Sequence, residues 1–568
     1  MNRHQRGEYY VTREGVYQPG EGVHRPGQGG GCRPASTWEE LRRFRFSRLV
    51  PLCHDRPVPA GGTVDTALSE RIAQAMTPDG ATDRPDSPIP AGYTYLGQLV
   101  DHDLTENKTR GSLGERVTVE QLVQGRSPAL DLDSLYGLGP GHPDGARFYE
   151  PDGVRLRTGR TAGVDGLPDL DGFDLAREDT EEGGRALIPD ARDDENLAVA
   201  QLHLAFIRFH NRIADDLAAR GVPRALLFEQ AREMVVLHYQ WVLRHDYLPR
   251  IVDPAIVEDV FTHGRQFFEV PLDPYQDLYR GGAGAGPGGG DPYASAGQGQ
   301  MPTMPIEFSI AAFRIGHSMV RDAYQWNSVF NSDRRADNPR QKAPATLPLL
   351  FTFSGTAGVL TGGRRLPSYW IPDWRRLFDL VGDGEAGPAC APPGGRLNRA
   401  KRIDTLLGRF LGQLPPASFG GCAQHVPAIE RNLAYRNLVR ADMVGLAGGQ
   451  QAAEFMKLTP LSAEQILSGR QGADLTTLDA GDRHRTVTRT PLWFYVLREA
   501  ELNDGVLTGV GGRIVAEVLH RAMEGSRYSI VRRPAWQPDL RSPTGRFTMA
   551  HLILHAFDHD PRLLNPVG

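Results

Sequence analysis

Between Asn196 and Ala219 the chain sets Leu202, Phe206, Phe209, Ile213 and Leu217 three and four residues apart, and then meets Arg220-Gly221 and Pro223. That spacing is an apolar stripe along one face of an α-helix, and the Gly and Pro mark its end. A second helix is expected over Leu226–Leu243, stopping near Pro249, and the same period fits Pro305–Trp326, Ile403–Leu411, Ile429–Val444 and Ala452–Leu458. Strand-like alternation is scarce, and no repeat of fixed period is present. The pattern predicts a mainly α fold with little β structure.

Two stretches interrupt it: Gly281–Gln300 and Gly382–Arg396 are dominated by Gly, Ala and Pro without apolar periodicity, and read as mobile surface loops. The first 35 residues carry Gly, Pro and charge where a secretory signal needs a continuous apolar segment, and read as a flexible tail. With 64 basic and 69 acidic residues the formal net charge is −5, so neither a nucleic-acid footprint nor an anionic-membrane patch is expected. The most apolar later run, Leu347–Leu360, is too short and too interrupted to span a bilayer. Cys32, Cys53, Cys390 and Cys422 are scattered, with no CxxC pair. These features favour a reducing compartment and a cytoplasmic location, with export by a route lacking a cleaved signal as the alternative.

Chemistry concentrates at Gly97-Gln98-Leu99-Val100-Asp101-His102-Asp103, where a histidine sits between two carboxylates, one helical turn after Gln98. An imidazole of ordinary pKa near ~6.5 both accepts and returns a proton at neutral pH. Three further stretches follow in order. They are Leu130-Asp131-Leu132-Asp133-Ser134-Leu135-Tyr136-Gly137; Asp190-Ala191-Arg192-Asp193-Asp194-Glu195 leading to Leu202-His203 and His210-Asn211-Arg212; and Phe313-Arg314-Ile315-Gly316-His317. His203 and His210 lie seven apart on one helix face without a carboxylate at matching spacing, and read as packing or hydrogen-bonding residues rather than metal ligands.

These motifs, in this order, resemble the animal-type heme peroxidases of the peroxidase–cyclooxygenase superfamily. The resemblance runs from Gln98 to Gly445 and implies one large helical heme peroxidase domain, taken as residues 36–568. It implies heme b, with His317 as iron ligand and Asn437 orienting it, and with Arg314 and Arg440 near the propionates. His102 would be the distal acid/base, Arg192 the cation that stabilises charge on the departing oxygen, and Gln98 a neighbour of the peroxide or halide position. Arg192 would also push the pKa of His102 below that of a free histidine. Asp101 and Glu195 match carboxylates that become ester-linked to the heme in mammalian members, whereas Asn196 stands where myeloperoxidase uses a methionine for a third link. Asp103, Ser127, Ala129, Asp131 and Asp133 match a calcium site, with Ser127 for threonine and Asp133 for serine. One departure falls after Asn437, where the family's Arg-Asp-His-Gly is replaced by Asp442-Met443-Val444-Gly445.

The resemblance implies reduction of hydrogen peroxide with oxidation of phenols, iodide, bromide or thiocyanate, and so a part in the response to oxidative stress. A fatty-acid oxygenase is the alternative within the superfamily. Cyclooxygenases carry a radical tyrosine three residues before the proximal histidine, a position held here by Arg314. A heme-free, calcium-binding adhesion or scaffold module is the alternative of another class, and such a module has no need for Gln98, His102, Arg192 and His317 together.

Overall fold

The computed structural model describes residues 10–12, 15–18, 33–34, 44, 46–51, 62–78, 84–109, 111–178, 184–269, 302–332, 340–355, 360, 365–419 and 426–568. Helix accounts for 47% of the structure and strand for 9%, so the mainly α expectation holds. The strands pair as short ribbons, of which Asp86–Pro90 with Arg399–Lys401 and Thr158–Arg160 with Asp171–Leu175 include the longest. Within the first 35 residues, only three short antiparallel strands are described. The Gly281–Gln300 loop lies outside the described residues. Gly382–Arg396 is described and contains two 3-10 turns, Pro388–Cys390 and Pro393–Gly395.

Eight helices position the site: α1 (Ala67–Met76), α2 (Gly92–Leu104), α3 (Leu197–Ala219), α4 (Arg224–Val242), α5 (Leu433–Met443), α6 (Leu492–Leu502), α7 (Gly509–Gly525) and α8 (Met549–Ala556). The predicted helix from Asn196 is α3. Asn196 itself is the cap, its Oδ1 accepting from the Val199 N–H at 3.0 Å and satisfying one of the open donors of the first turn. Helix α2 is buried over most of its surface, packed against α3 and the turn Gly316–Met319. It tolerates this because Gly97 has no Cβ: one built there would lie 2.3 Å from the Tyr247 hydroxyl. Tyr247 is delivered by a π-turn, Leu243–Tyr247, that continues α4 toward Pro249.

Four helical expectations are corrected. Pro305–Trp326 is not one helix but a π-turn at Glu307–Ala311, a 3-10 turn at Ala312–Ile315 and an α-turn at Gly316–Met319, followed by the short strand Ala323–Tyr324. Regular hydrogen bonding fails where the Ser309 carbonyl accepts from Arg314 Nε at 2.9 Å. Ile403–Leu411 is helical only in the 3-10 turn Arg409–Leu411, because its amides are used elsewhere: Leu406 N–H donates to Asp404 Oδ1 at 2.8 Å and Leu407 N–H to the Met76 carbonyl at 2.9 Å. Ile429–Val444 is divided into a 3-10 turn, Ile429–Arg431, and α5, and Ala452–Leu458 is displaced to Gly449–Phe455.

Candidate active site

A cavity of about 700 Å³ lies between α2, the Ala191–Asp194 turn, the Glu307–Met319 segment and α5. Its volume falls in the range of ligand and cofactor sites, about 300–1,000 Å³. Gln98, Asp101, His102, Arg192, Glu195, Arg314, His317 and Arg440 all line it, so residues more than 300 positions apart in the chain share one chamber.

His102 is 5% exposed, and its Nδ1–H donates to Asp193 Oδ1 at 2.7 Å. This hydrogen bond fixes the tautomer and leaves Nε2 with a lone pair, 3.9 Å from Glu195 Oε1. The other oxygen of Asp193 accepts from His203 Nδ1–H at 2.8 Å, so one fully buried carboxylate holds two imidazoles. Burial and Arg192 push the His102 pKa down, but the hydrogen bond and charge of Asp193, helped by Glu195, outweigh them and leave it above the ordinary value. The expected net depression by Arg192 is therefore corrected. Arg192 is itself paired with Asp190, which accepts from its Nε at 3.0 Å and from a terminal nitrogen at 2.6 Å, and the same nitrogen donates to the His102 carbonyl at 3.0 Å. Asp190, though buried, is held well below the usual carboxylate range by Arg126 and Arg192, so Arg192 is a fixed cation locked to the helix that carries His102.

Gln98 donates from Nε2 to Glu195 Oε1 at 2.5 Å and accepts at Oε1 from Asn196 Nδ2 at 3.2 Å. Asp101 accepts from the Thr105 hydroxyl at 3.1 Å and faces the same cavity.

Across the cavity, Asn437 is fully buried with Nδ2 2.9 Å from His317 Nδ1, while its Oδ1 is buried without a partner. Turning this amide end for end places Oδ1 where it accepts from Nδ1–H and frees the Nε2 lone pair, the arrangement that an iron ligand requires. Burial, then Arg314 and Arg440, push the His317 pKa down to about 3, so the ring is neutral and able to ligate. Arg314, Arg436 and Arg440 line this side, and none forms an ion pair with a carboxylate among the described residues. Burial and the two neighbouring guanidiniums bring Arg440 down to about 9. A chamber edged on this side by three guanidiniums, with a neutral histidine beneath an orphaned amide oxygen, fits a flat cofactor with two carboxylates. Sequence reasoning missed Arg436, although it stands one helical turn before Arg440, and it missed Asp193.

Asp103, Asp131 and Asp133 gather behind α2. Burial and then mutual repulsion raise Asp103 well above the carboxylate range; burial, partly offset by Arg126, raises Asp133 to about 7. Asp133 Oδ1 is buried without a partner, and Asp133 Oδ2 accepts from the Ser127 N–H at 3.0 Å. Among the described residues no group of three or more His, Cys, Asp and Glu is arranged to hold a metal ion. The mutual repulsion is what a divalent cation would relieve, with the Ser127 hydroxyl and Ala129 carbonyl as further oxygens. His210 serves packing and hydrogen bonding: it accepts from the Tyr136 hydroxyl at 3.0 Å and donates to the Val154 carbonyl at 2.9 Å.

The chain is similar to proteins of the peroxidase–cyclooxygenase superfamily. Residues 101–355 match the animal haem peroxidase family. The chain is 30% identical over 139 residues to a peroxidase-like protein of Margaritifera margaritifera, covering 24% of this chain and 14% of that protein. It is 22% identical over 461 residues to a peroxidasin homolog of Caenorhabditis briggsae, covering 80% of this chain and 31% of that protein, so it spans less than a third of these relatives. Peroxidase A of Dictyostelium discoideum superposes with a TM-score of 0.53 at 15% identity, covering 92% of this chain and 94% of that one. The fatty acid alpha-dioxygenase of Oryza sativa superposes with a TM-score of 0.53 at 12% identity, covering 99% and 87%. Among the described residues no helix is long and apolar enough to cross a membrane.

Proposed function

We propose that this chain is a heme peroxidase that reduces hydrogen peroxide and oxidises small donors: phenols, iodide, bromide or thiocyanate. The observation that carries the reading is one chamber with a carboxylate-oriented histidine on one wall and a neutral, amide-backed histidine on the other. His317 would hold the iron, and Arg314, Arg436 and Arg440 would face the propionates. Heme, when bound, supplies the redox centre at which the peroxide O–O bond is cleaved.

The protein's own contribution is proton and charge management. His102 Nε2, free because Nδ1–H is committed to Asp193, takes a proton from incoming peroxide and returns it to the departing oxygen, which leaves as water. Arg192 opposes the negative charge that builds on that oxygen, and its pairing with Asp190 keeps it in place without reorganisation. Gln98 presents an amide beside this position. Asp101 and Glu195, both on the chamber wall, would be the carboxylates for ester attachment. Asp103, Ser127, Ala129, Asp131 and Asp133 would hold calcium, tying the ion to the residue after His102.

Arg314 in place of a tyrosine supports the peroxidase over the oxygenase, although the fold is shared with alpha-dioxygenases. Steady-state oxidation of these donors, run beside oxygen uptake with an unsaturated fatty acid, tests the choice. Donor oxidation that depends on peroxide is expected, with little or none for chloride; fatty-acid-driven oxygen uptake without donor oxidation would make the chain an oxygenase.

A further inference from the structure

Asn196 divides its amide between two tasks. Its Oδ1 caps α3 through the Val199 N–H, and its Nδ2 donates to Gln98 Oε1 at 3.2 Å. The side chain is 3% exposed and is held by the cap, so the donor it offers to Gln98 is fixed in space. Gln98 is consequently gripped at both ends, its oxygen by Asn196 and its nitrogen by Glu195 at 2.5 Å. A glutamine amide is nearly symmetric in shape, and neighbours alone decide which end points where. Here they turn the NH₂ end toward Glu195, and its second N–H has no protein acceptor among the described residues. Gln98 lines the cavity with His102 and Arg192. A small anion in that chamber, which Asp101 and Glu195 also line, would meet an N–H of Gln98 and the fixed cation Arg192; with the amide reversed it would meet a carbonyl oxygen instead.

We propose that Asn196 is a positioning residue that makes the site selective for anionic donors such as thiocyanate and iodide over neutral phenols, by locking the Gln98 amide with an N–H toward the anion. The inference rests on the peroxidase reading above. It separates orientation from folding, because Ser and Asp are caps about as good as Asn. Asn196→Ser keeps the cap and adds no charge but lacks the donor that reaches Gln98. Asn196→Asp keeps the cap and offers Gln98 Oε1 only another oxygen.

The test uses the full chain loaded with heme, as wild type, Asn196→Ser and Asn196→Asp. Thiocyanate binding is followed by spectral titration without turnover, thermal melting is followed in parallel, and kcat and KM are measured for thiocyanate and for a neutral phenol. Both variants should melt like wild type and bind thiocyanate roughly tenfold to hundredfold more weakly, the worth of one hydrogen bond to a charged group. KM for thiocyanate should rise in parallel, while the phenol constants stay within about twofold. Wild-type thiocyanate affinity in Asn196→Ser overturns the inference, as does an equal loss for thiocyanate and phenol. A wild-type protein that oxidises no donor overturns the peroxidase reading itself, and the turnover-free titration tells the two failures apart.

Discussion

Replacing Arg440 by methionine should move two properties in opposite directions. Arg440 is half-buried beside Arg314 and Arg436 with no carboxylate partner among the described residues, and its guanidinium is brought from the ordinary arginine range down to about 9. At 1.36 kcal/mol per pH unit this is about 5 kcal/mol against the charged form; allowing half for water in the cavity leaves about 2–3 kcal/mol. The folded-state pKa lies below the unfolded one, so the cost is fully present below about pH 9 and vanishes only as pH rises toward the ordinary arginine value. At neutral pH, Arg440→Met therefore stabilises the heme-free protein by about that amount, since methionine fills similar space without the charge. In the loaded protein the same change removes a charge-assisted contact to a carboxylate and speeds heme loss by about tenfold or more. Urea unfolding of the heme-free protein and heme transfer to an excess of acceptor globin read the two effects. A heme-free variant less stable than wild type, or unchanged heme retention, would refute the assignment of this cluster to a dianionic cofactor edge.

His102→Ala should retain heme and slow reaction with peroxide by about 10²–10⁴, the usual share of positioned acid/base catalysis, in stopped-flow measurements. The His102 pKa lies above the ordinary value and the base must be neutral, so the rate should fall on acidification from near-neutral pH. Asp193→Asn, which removes the charge that raises this pKa, should carry the fall to lower pH, and a fall that stays in place would show that Asp193 does not set it. Calcium should be found by metal analysis and lost with Asp131→Ala. Its affinity should drop as pH falls through about 7, because Asp133 must be ionised to bind and its carboxyl is raised to about 7. After peroxide treatment, part of the heme should resist acid-acetone extraction; complete extraction would leave Asp101 and Glu195 as non-covalent neighbours.

The distal wall was legible because its elements are amphipathic or short. The α3 stripe announces itself by period, and Gln98 to His102 is a single helical turn whose two ends line the same cavity. Helices α6 and α7 escaped the periodicity argument for the opposite reason. Leu492–Leu502 is buried through Phe494, Arg498 and Glu501 alike, so it has no polar face to contrast with an apolar one. Helix α7 opens on Gly-Val-Gly-Gly, a poor helix start by propensity, which packing against α6 overrides: a Cβ at Gly511 would lie 2.6 Å from Val496. Asp193 was hidden by geometry at the scale of one turn. The 3-10 turn brings Asp190 back onto Arg192 and sends Asp193 inward between α2 and α3, a reversal that adjacency in sequence does not disclose. The proximal segment read as one helix because its apolar period is helical, whereas its hydrogen bonding passes through π, 3-10 and α in thirteen residues, from Glu307 to Met319.

The central claim is that His317 and His102 face each other across a heme. An absorption spectrum of the heme-loaded protein, taken before and after one equivalent of hydrogen peroxide and repeated for His317→Ala, tests it most directly. The account predicts a ferric Soret band with histidine ligation that shifts within the mixing time on adding peroxide. In His317→Ala it predicts loss of that ligation or of bound heme. An unchanged ferric spectrum in His317→Ala, or a wild-type protein that takes up no heme, would contradict it.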